Sequence, residues 1–265
     1  MIADGAPAAP GAVLSSYGGG ALDPGPHLRG FGGLHGGLVL SLMVSAMAQR
    51  IPDPSLRSVT GRYYRPVSGE FGIETEVVRN GRSSATVSAW ASGERGVHVE
   101  ATGVFGPAGT SRWPAIAPRP PAAPPPQDCD EFAIPPEFVP IAAHMQIRPV
   151  GPNRPYAGGD DPELTAWIRL TEDDLPPGLL RFILLMDGLA PAYAAVLSDL
   201  VLIPTVEFTV RPAAALAKAA SPWVLLRART VAAGSDGWNE EQVQAWDLDG
   251  GYLGSAQQLR MTRAG

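Results

Sequence analysis

Two ionisable side chains stand where the surrounding sequence is almost entirely apolar. His35 comes directly before the apolar run 38–50, and Asp187 interrupts the apolar run 179–197. A histidine at a helix start can act as a general base, and an acid inside an apolar helix is costly unless it is paired or faces a cleft. Both have a structural explanation as well, because His35 can cap or pack against the helix and Asp187 can reach solvent.

Backbone and arginine groups add two further candidate binding elements. Gly36 and Gly37 follow His35, and N–H groups at a helix start can donate to a developing oxyanion that glycine allows to come close. Arg79 and Arg82 flank the pair Asn80-Gly81, which is typical of a two-residue hairpin turn. The two guanidinium groups either bind phosphate as a clamp or lie in solvent as ordinary turn charges.

Other common kinds of site are excluded by residue type and spacing. The histidines, His27, His35, His98 and His144, lie far apart in sequence, and Cys129 is the only cysteine. No metal-ligand spacing and no intrachain disulfide follow from that set. The sequence also contains neither a phosphate-binding loop motif nor a nucleophilic-serine motif.

Composition predicts a globular protein that does not bind nucleic acid. Of the 265 residues 45% are hydrophobic and 17% charged, and the net charge of -6 lacks the basic excess that nucleic-acid binders carry. No Lys or Arg precedes Arg29, no signal-peptide pattern is present, and the apolar run 38–48 is too short to cross a bilayer. We therefore expect a cytoplasmic protein without a membrane span.

A proline-rich stretch divides the chain into two similar halves. Seven of the thirteen residues in 114–126 are proline, so this stretch can be neither a helix nor an inner strand. The sequence therefore predicts an N-terminal domain over 1–113, a linker over 114–139 and a C-terminal domain over 140–265.

The two halves carry the same order of elements. Each contains an apolar helix followed by four β-branched and aromatic runs with partial alternation. The first half has a helix over 38–50 and strands over 56–67, 71–79, 83–91 and 97–105. The second has strands over 143–150 and 164–171, a helix over 179–197 that Pro191 kinks or ends early, and strands over 203–211, 223–232, 242–248 and 252–262. This order is typical of an α+β double hot-dog fold, in which two antiparallel sheets each wrap round a central apolar helix.

Several motifs, in order, resemble acyl-CoA thioesterase II and its actinobacterial relatives over residues 25–113 and 140–263. They are Phe31-Gly32-Gly33-Leu34-His35-Gly36-Gly37, Arg79-Asn80-Gly81-Arg82-Ser83, Leu185-Met186-Asp187-Gly188, Thr205-Val206-Glu207-Phe208-Thr209-Val210, and the segment from Trp246 to Gln258. Each motif alone is modest, and their order and spacing together carry the resemblance.

The resemblance implies a catalytic Asp, Thr and Gln that position and activate a hydrolytic water. Matching the family's Thr-Ile/Val-Asp to Thr-Val-Glu puts Glu207 at the Asp, Gly237-Trp238 anchors Thr230 at the Thr, and Gln258 falls at the Gln. An alternative alignment on Arg211-Pro212 puts Pro204 at the Asp and leaves no base.

These assignments imply a role for each candidate. Glu207 would accept a proton from water that Thr230 and Gln258 hold. His35, Gly36, Gly37 and Asp187 would form the oxyanion and substrate-binding site, and Arg79 and Arg82 would bind the CoA phosphates. Five residues before Pro212 stands Glu207 and five before Pro66 stands Gly61, so we expect one water-activating site, with cleft walls from the first half.

The function expected from the resemblance is hydrolysis of a fatty-acyl-type CoA thioester, with the thioester as substrate and no other cofactor or metal. Two alternatives stay open. Because Glu is one methylene longer than Asp, the protein can be an acyl-CoA or lipid-like ligand binder without turnover. With His35 as the base, it can instead hydrate or dehydrate an enoyl thioester. Acyl chain length and the carrier, CoA or acyl carrier protein, stay open, and exposed sheet edges favour a homo-oligomer.

Overall fold

A computed structural model describes residues 7–52, 55–107, 109 and 112–263; the outer ends of the two predicted domains, 1–6 and 264–265, lie outside the described residues. Within these ranges the helices are α1 (Pro10–Ser16), α2 (Gly36–Ala48) and α3 (Leu179–Leu185). The strands are β1 (Leu56–Tyr63), β2 (Phe71–Asn80), β3 (Ala85–Gly93), β4 (Gly96–Phe105), β5 (Met145–Val150), β6 (Glu163–Leu170), β7 (Thr205–Pro212), β8 (Val224–Ala233), β9 (Trp238–Trp246) and β10 (Tyr252–Met261).

The strands form one antiparallel sheet that displays the repeat directly. Its order is β2-β3-β4-β1-β7-β10-β9-β8-β6-β5, so the order of the first four strands reappears in reverse across the centre. The halves meet where β1 pairs with β7, from Val59 opposite Val210 to Arg62 opposite Glu207. The double hot-dog fold is confirmed, with the two expected sheets joined into one.

The apolar helix α2 is enclosed as its sequence predicts. Every residue from Gly37 to Val44 is buried, including the polar Ser41. Ser41 satisfies its hydroxyl by donating to Gly37 and Leu180 main-chain oxygens, so no polar group is left unpaired in the apolar surroundings. Because α2 contacts strands β1 to β4 and also α3, the two central helices lie side by side within the sheet.

The second apolar run forms a much shorter helix than 179–197. Helix α3 ends at Leu185, and a separate 3₁₀ turn over Ala192–Val196 begins directly after Pro191. Proline lacks the N–H that a continuing helix needs, which explains why the helix does not run through this point. Of the two expectations for Pro191, a kink or an early end, the structure shows no kinked helix, and α3 already ends six residues before Pro191.

The β2–β3 hairpin has a longer loop than the sequence suggests. Asn80 pairs with Ala85, so four residues connect the strands, and the N–H of Gly81 donates to Ser84 O at 3.0 Å. The expected two-residue turn at Asn80-Gly81 is therefore wrong.

The proline-rich segment lies against the outer face of the C-terminal half. The indole N–H of Trp167 donates to Pro124 O at 2.8 Å, and that of Trp246 donates to Pro118 O at 3.0 Å. Both indole rings are buried together with Leu225. The segment is thus held at Pro118 and Pro124, while the division into domains 1–113 and 140–265 around a linker 114–139 stays a prediction.

Helix α1 is an element that the sequence analysis did not anticipate. Val13 and Leu14 are buried, and α1 packs against both α2 and α3. Its Gly11 N–H donates to the Glu172 carboxylate at 2.7 Å. None of the helices in the described ranges has the length and hydropathy that a transmembrane segment needs.

Candidate active site

The end of helix α3 presents the side chain of Asp187. The turn that follows the helix is held by N–H groups of Asp187 and Gly188, which donate to Leu184 and Leu185 main-chain oxygens. A Cβ at Gly188 would lie 2.5 Å from Ile168 Cδ1 and 3.0 Å from Leu185 O, so glycine lets this turn pack closely against β6. The Asp187 side chain is 13% exposed.

The start of helix α2 holds that carboxylate. The Gly37 N–H donates to Asp187 Oδ2 at 2.8 Å. Helix α2 has no acidic residue in its own first turn and no side-chain cap from His35 at its N-cap position, so Asp187 of the other half supplies the missing acceptor. The helix dipole favours a negative charge at this end.

His35 forms a hydrogen bond with the main chain of Asp187. Its Nε2 lies 3.0 Å from the Asp187 carbonyl oxygen and 3.8 Å from Oδ2. A carbonyl oxygen only accepts hydrogen bonds, so Nε2 carries a proton. The other ring nitrogen, Nδ1, is buried without a partner among the described residues. His35 therefore fixes the position of Asp187.

Strand β10 brings an amide to the other carboxylate oxygen. Gln258 Nε2 donates to Asp187 Oδ1 at 3.3 Å, and Gln258 Oε1 accepts from the Thr205 hydroxyl at 2.7 Å. Gln258 is 3% exposed. An acid, an amide and a hydroxyl from three separate elements thus form one hydrogen-bonded chain.

A β-bulge explains why Thr205 reaches this chain. Leu259 pairs with Glu207, but the next residue, Arg260, pairs with Thr205, so Val206 is the extra residue. A bulge of this kind reverses the alternation of side chains along a strand. Thr205 therefore points to the same side of the sheet as Gln258.

Glu207 lies on the opposite side of the sheet. Its carboxylate is 37% exposed and pairs with Arg62 Nε at 3.0 Å across β1 and β7. Gln258 stands opposite Phe208, which is fully buried, so Gln258 points inward and Glu207 outward. The expected grouping of Glu207 with Gln258 is therefore corrected, because strand alternation separates them.

Thr230 is on the inner side but too far away. It stands opposite Glu241, and Glu241 stands opposite Gln258, so two strand spacings of about 4.8 Å each separate Thr230 from Gln258. The Thr230 hydroxyl is buried and has no hydrogen-bond partner within the described ranges. The structure thus does not bring Thr230 to the acid, and Thr205 occupies the place that it was expected to fill.

Tyr63 of β1 is a further residue of the first half that lies at the candidate site, beside the start of α2. Its hydroxyl donates to Gly36 O at 2.9 Å. Burial raises the pKa of this phenol well above its usual value, and the negative charge of Asp187 raises the pKa further, while Arg260 opposes the shift. The phenol is therefore neutral and remains a donor at physiological pH.

Buried charges lie behind the carboxylate. Arg260 Nη2 is 3.8 Å from Asp187 Oδ1, and Arg260 Nη1 donates to the Thr205 hydroxyl at 2.9 Å. Glu241 Oε1 lies 3.1 Å from Arg260 Nη2, and its other oxygen accepts the N–H of Ala192. Sequence reasoning missed Thr205, Glu241 and Arg260; the charged pair in otherwise alternating apolar strands was the available signal.

Arg79 and Arg82 are not part of this arrangement. Both are exposed at the β2–β3 hairpin. Across the sheet, the pairing registers place Tyr63 of the candidate site level with Ile73 of β2. The hairpin at Asn80 lies seven residues further along β2, so it is about 23 Å from the level of Tyr63. Their assignment to CoA phosphates stays a prediction.

Comparison with known proteins gives a consistent family. A model described as "Acyl-CoA thioesterase N-terminal domain" matches residues 25–106, and one described as "Acyl-CoA thioesterase C-terminal domain" matches residues 118–262. Among curated proteins, none matches the chain.

Solved structures resemble the chain over nearly its whole length. A conserved protein of unknown function with a hot-dog fold from Alicyclobacillus acidocaldarius has a TM-score of 0.83 at 25% identity, covering 93% of this chain and 92% of that one. A protein provisionally named thioesterase II from Thermobifida fusca gives 0.80 at 23%, covering 92% of each. An acyl-CoA thioesterase II, TesB2, from Mycobacterium marinum gives 0.69 at 19%, covering 87% and 89%. At these identities, the last two comparisons show a shared fold.

Proposed function

Since this chain belongs to the acyl-CoA thioesterase family, we propose that it hydrolyses a fatty-acyl-type CoA thioester, with Asp187 as the carboxylate that activates water. The observation that carries this proposal is the hydrogen-bonded chain Asp187–Gln258–Thr205. It joins the three residue types that the family resemblance implies, with Asp187 and Thr205 in the places that sequence matching gave to Glu207 and Thr230.

The surroundings of Asp187 suit a general base. Its carboxylate accepts two hydrogen bonds and has one guanidinium 3.8 Å away. The side chain is 13% exposed, so it is not closed off from solvent. The start of helix α2 lies beside it, and the positive end of the helix dipole is already in place before the reaction, so no groups need to reorient to supply it.

The proposed reaction proceeds through one tetrahedral intermediate. Water attacks the thioester carbonyl carbon, Asp187 takes a proton from that water, and the carbonyl electrons move to the oxygen. The Gly37 N–H already serves Asp187, which leaves the N–H of Gly36 at the same helix start as the oxyanion donor. When the intermediate collapses the C–S bond breaks, and the sulfur leaves with the bonding electrons and takes the proton from Asp187.

The two alternative functions, ligand binding without turnover and hydration of an enoyl thioester, are less well supported by this site. The binding-only alternative rested on Glu in place of Asp, and Asp187 supplies the shorter acid. The hydratase alternative needs His35 as a base, yet its Nε2 donates to the Asp187 carbonyl oxygen and its Nδ1 is buried.

Thiol release from a panel of acyl-CoA esters tests the proposal, with Asp187→Asn and Glu207→Gln as matched variants. We expect Asp187→Asn to lower kcat/KM about 100-fold or more, because the base is removed without a change in shape, and Glu207→Gln to stay within about twofold. Full activity in Asp187→Asn would sink the assignment. Acyl-CoA binding without thiol release would favour the binder, and hydroxyacyl product would favour the hydratase.

A further inference from the structure

We propose that Arg260 is a positioning residue that sets the donor and acceptor direction of the hydrogen-bonded chain that ends at Asp187. The proposal rests on the proposed function of that site. Arg260 touches neither substrate nor water in this scheme; it acts through Thr205 and Gln258, in addition to its own charge 3.8 Å from Asp187 Oδ1.

The guanidinium of Arg260 is held in one place. The residue is 5% exposed and lies on β10 opposite Thr205 of β7 and Asn239 of β9. Glu241 pairs with its Nε at 3.2 Å and its Nη2 at 3.1 Å, which leaves Nη1 directed at the Thr205 hydroxyl at 2.9 Å. A planar fork held on one side by a carboxylate has little freedom on the other.

The direction of the chain follows from what each group can do. A guanidinium only donates, so the Thr205 oxygen accepts from Arg260 and sends its single proton elsewhere. That proton goes to Gln258 Oε1 at 2.7 Å. With its oxygen engaged there, the amide turns its NH₂ toward Asp187 Oδ1 at 3.3 Å.

The opposite direction would harm the site. If the Thr205 hydroxyl accepted from the Gln258 amide, the amide oxygen would face the Asp187 carboxylate, and two acceptors would meet without a proton between them. An unpaired acceptor in a buried place lowers stability, because it loses the hydrogen bonds that it would make to water. Arg260 favours the observed arrangement because its N–H fills one of the two lone-pair positions of the Thr205 oxygen and leaves the single hydroxyl proton for Gln258 Oε1.

Glu241 connects Arg260 to the main chain of the loop that follows Asp187. One of its oxygens pairs with Arg260, and the other accepts the N–H of Ala192, five residues after Asp187. The loop that follows Asp187 is therefore fixed to the arginine that orients the amide. One arginine serves two carboxylates, Asp187 and Glu241, so removing Arg260 alone would leave a buried negative charge unpaired.

The test removes the pair together. In Arg260→Met with Glu241→Gln, both charges are removed together, while the amide oxygen of the glutamine can still accept the N–H of Ala192. Arg260→Lys is the second variant, because it keeps the charge but loses the fork. Arg229→Met with Glu163→Met is the control, since that arginine and glutamate pair at 3.4 Å across β8 and β6 away from the site.

The first measurement does not depend on catalysis. The side-chain NH₂ of Gln258 is followed by ¹⁵N NMR and assigned from its absence in Gln258→Met. We expect slow hydrogen exchange of the proton bound to Asp187 in the wild type and in the control, and faster exchange in both Arg260 variants. Unchanged exchange in the Arg260 variants overturns the proposal.

The second measurement is a double-mutant cycle on kcat. We expect the Arg260 variants to lower kcat about 10- to 100-fold with KM nearly unchanged. In the variant that lacks both Arg260 and Glu241, Thr205→Val should lower kcat by less than about a further twofold, because the Thr205 hydroxyl has already lost its orientation. Multiplying effects would mean that Arg260 acts only through general stability, which overturns the proposal. Wild-type protein that releases no thiol from any acyl-CoA, but shows the expected exchange, refutes the proposed function and leaves the role of Arg260 standing.

Discussion

The N–H of Gly37 and the Oδ2 of Asp187, 2.8 Å apart, join the two halves of the chain at the point where chemistry is expected. One half supplies the start of a helix and the other supplies the acid that caps it. Each therefore stabilises the other, since the helix start gains an acceptor and the carboxylate gains a donor.

Replacing Gly37 with alanine should damage both stability and activity. The new Cβ would lie 2.9 Å from Asp187 Cβ and 2.9 Å from Leu184 O, and backbone atoms cannot give way cheaply. We expect the free energy of unfolding in urea to fall by about 1–3 kcal/mol, and thiol release to fall with it. Gly72→Ala is the control, because its Cβ would meet nothing within 4 Å. Equal losses in the two variants would contradict this explanation.

The two threonines give a matched test of the β-bulge. Thr205→Val removes the hydroxyl that holds Gln258, so we expect kcat to fall about 10-fold or more. Thr230→Val removes a buried hydroxyl without a partner among the described residues, so activity should persist and the melting temperature should hold or rise. Thiol release and thermal unfolding measure both. A larger loss of activity in Thr230→Val would restore the sequence-based assignment.

The Asp173–Arg181 pair should make stability depend on pH at the acid end. Two hydrogen bonds from Arg181, at 2.6 and 2.7 Å, are the main cause that lowers the pKa of the Asp173 carboxyl from 3.8 to about 2, with burial opposing and the Leu175 N–H assisting. Because the folded pKa is the lower one, the contribution is complete above about pH 4 and disappears as the pH falls through about 2.

Chemical denaturation at several pH values checks that expectation. Asp173→Asn should be less stable than the wild type at pH 6, and the difference should shrink between pH 4 and pH 2. Asp174→Asn serves as the control, because the side chain is 84% exposed and surface pairs contribute little. A difference for Asp173→Asn that stays constant across this range would refute the explanation.

The indole hydrogen bonds to the proline-rich segment predict its resistance to proteolysis. Trp246→Phe removes the donor to Pro118 O and Trp167→Phe removes the donor to Pro124 O. Since each ring stays apolar, we expect the fold to persist while a broad-specificity protease cuts within 114–126 several times faster. Trp238→Phe, at a partly exposed ring, is the control. Cleavage at the wild-type rate in both variants would mean that packing alone holds the segment.

Much of the fold could be predicted because its signals are local. Strands β1 to β4 follow from β-branched and aromatic runs, and the enclosed helix α2 follows from residues that are apolar on every side. The length of α3 could not be fixed, because both a kink and an early end satisfy Pro191. The packing of 114–126 on Trp167 and Trp246 depends on contacts far along the chain, which composition does not encode.

The candidate site was predicted in part, and the error has one physical cause. Gln258, Asp187 and His35 were recognised as candidates, and the structure brings all three together. Glu207 was assigned as the acid because a motif match does not show which face of β7 a residue occupies, and ordinary alternation beside the inward Phe208 turns Glu207 outward. The bulge at Val206 changes which side chains share a face, and nothing in the residue types of Thr205-Val206-Glu207 reveals it.

The seam between β1 and β7 has a consequence for how such a protein can change over time. In a symmetric pair of identical subunits, any substitution at the shared boundary appears twice and alters two equivalent places. Here the two sides of the seam are encoded separately, so Gly61 can stand across from Phe208 and Arg62 across from Glu207 without a mirrored copy. Covalent fusion thus lets each half change its own side of the boundary without changing the other.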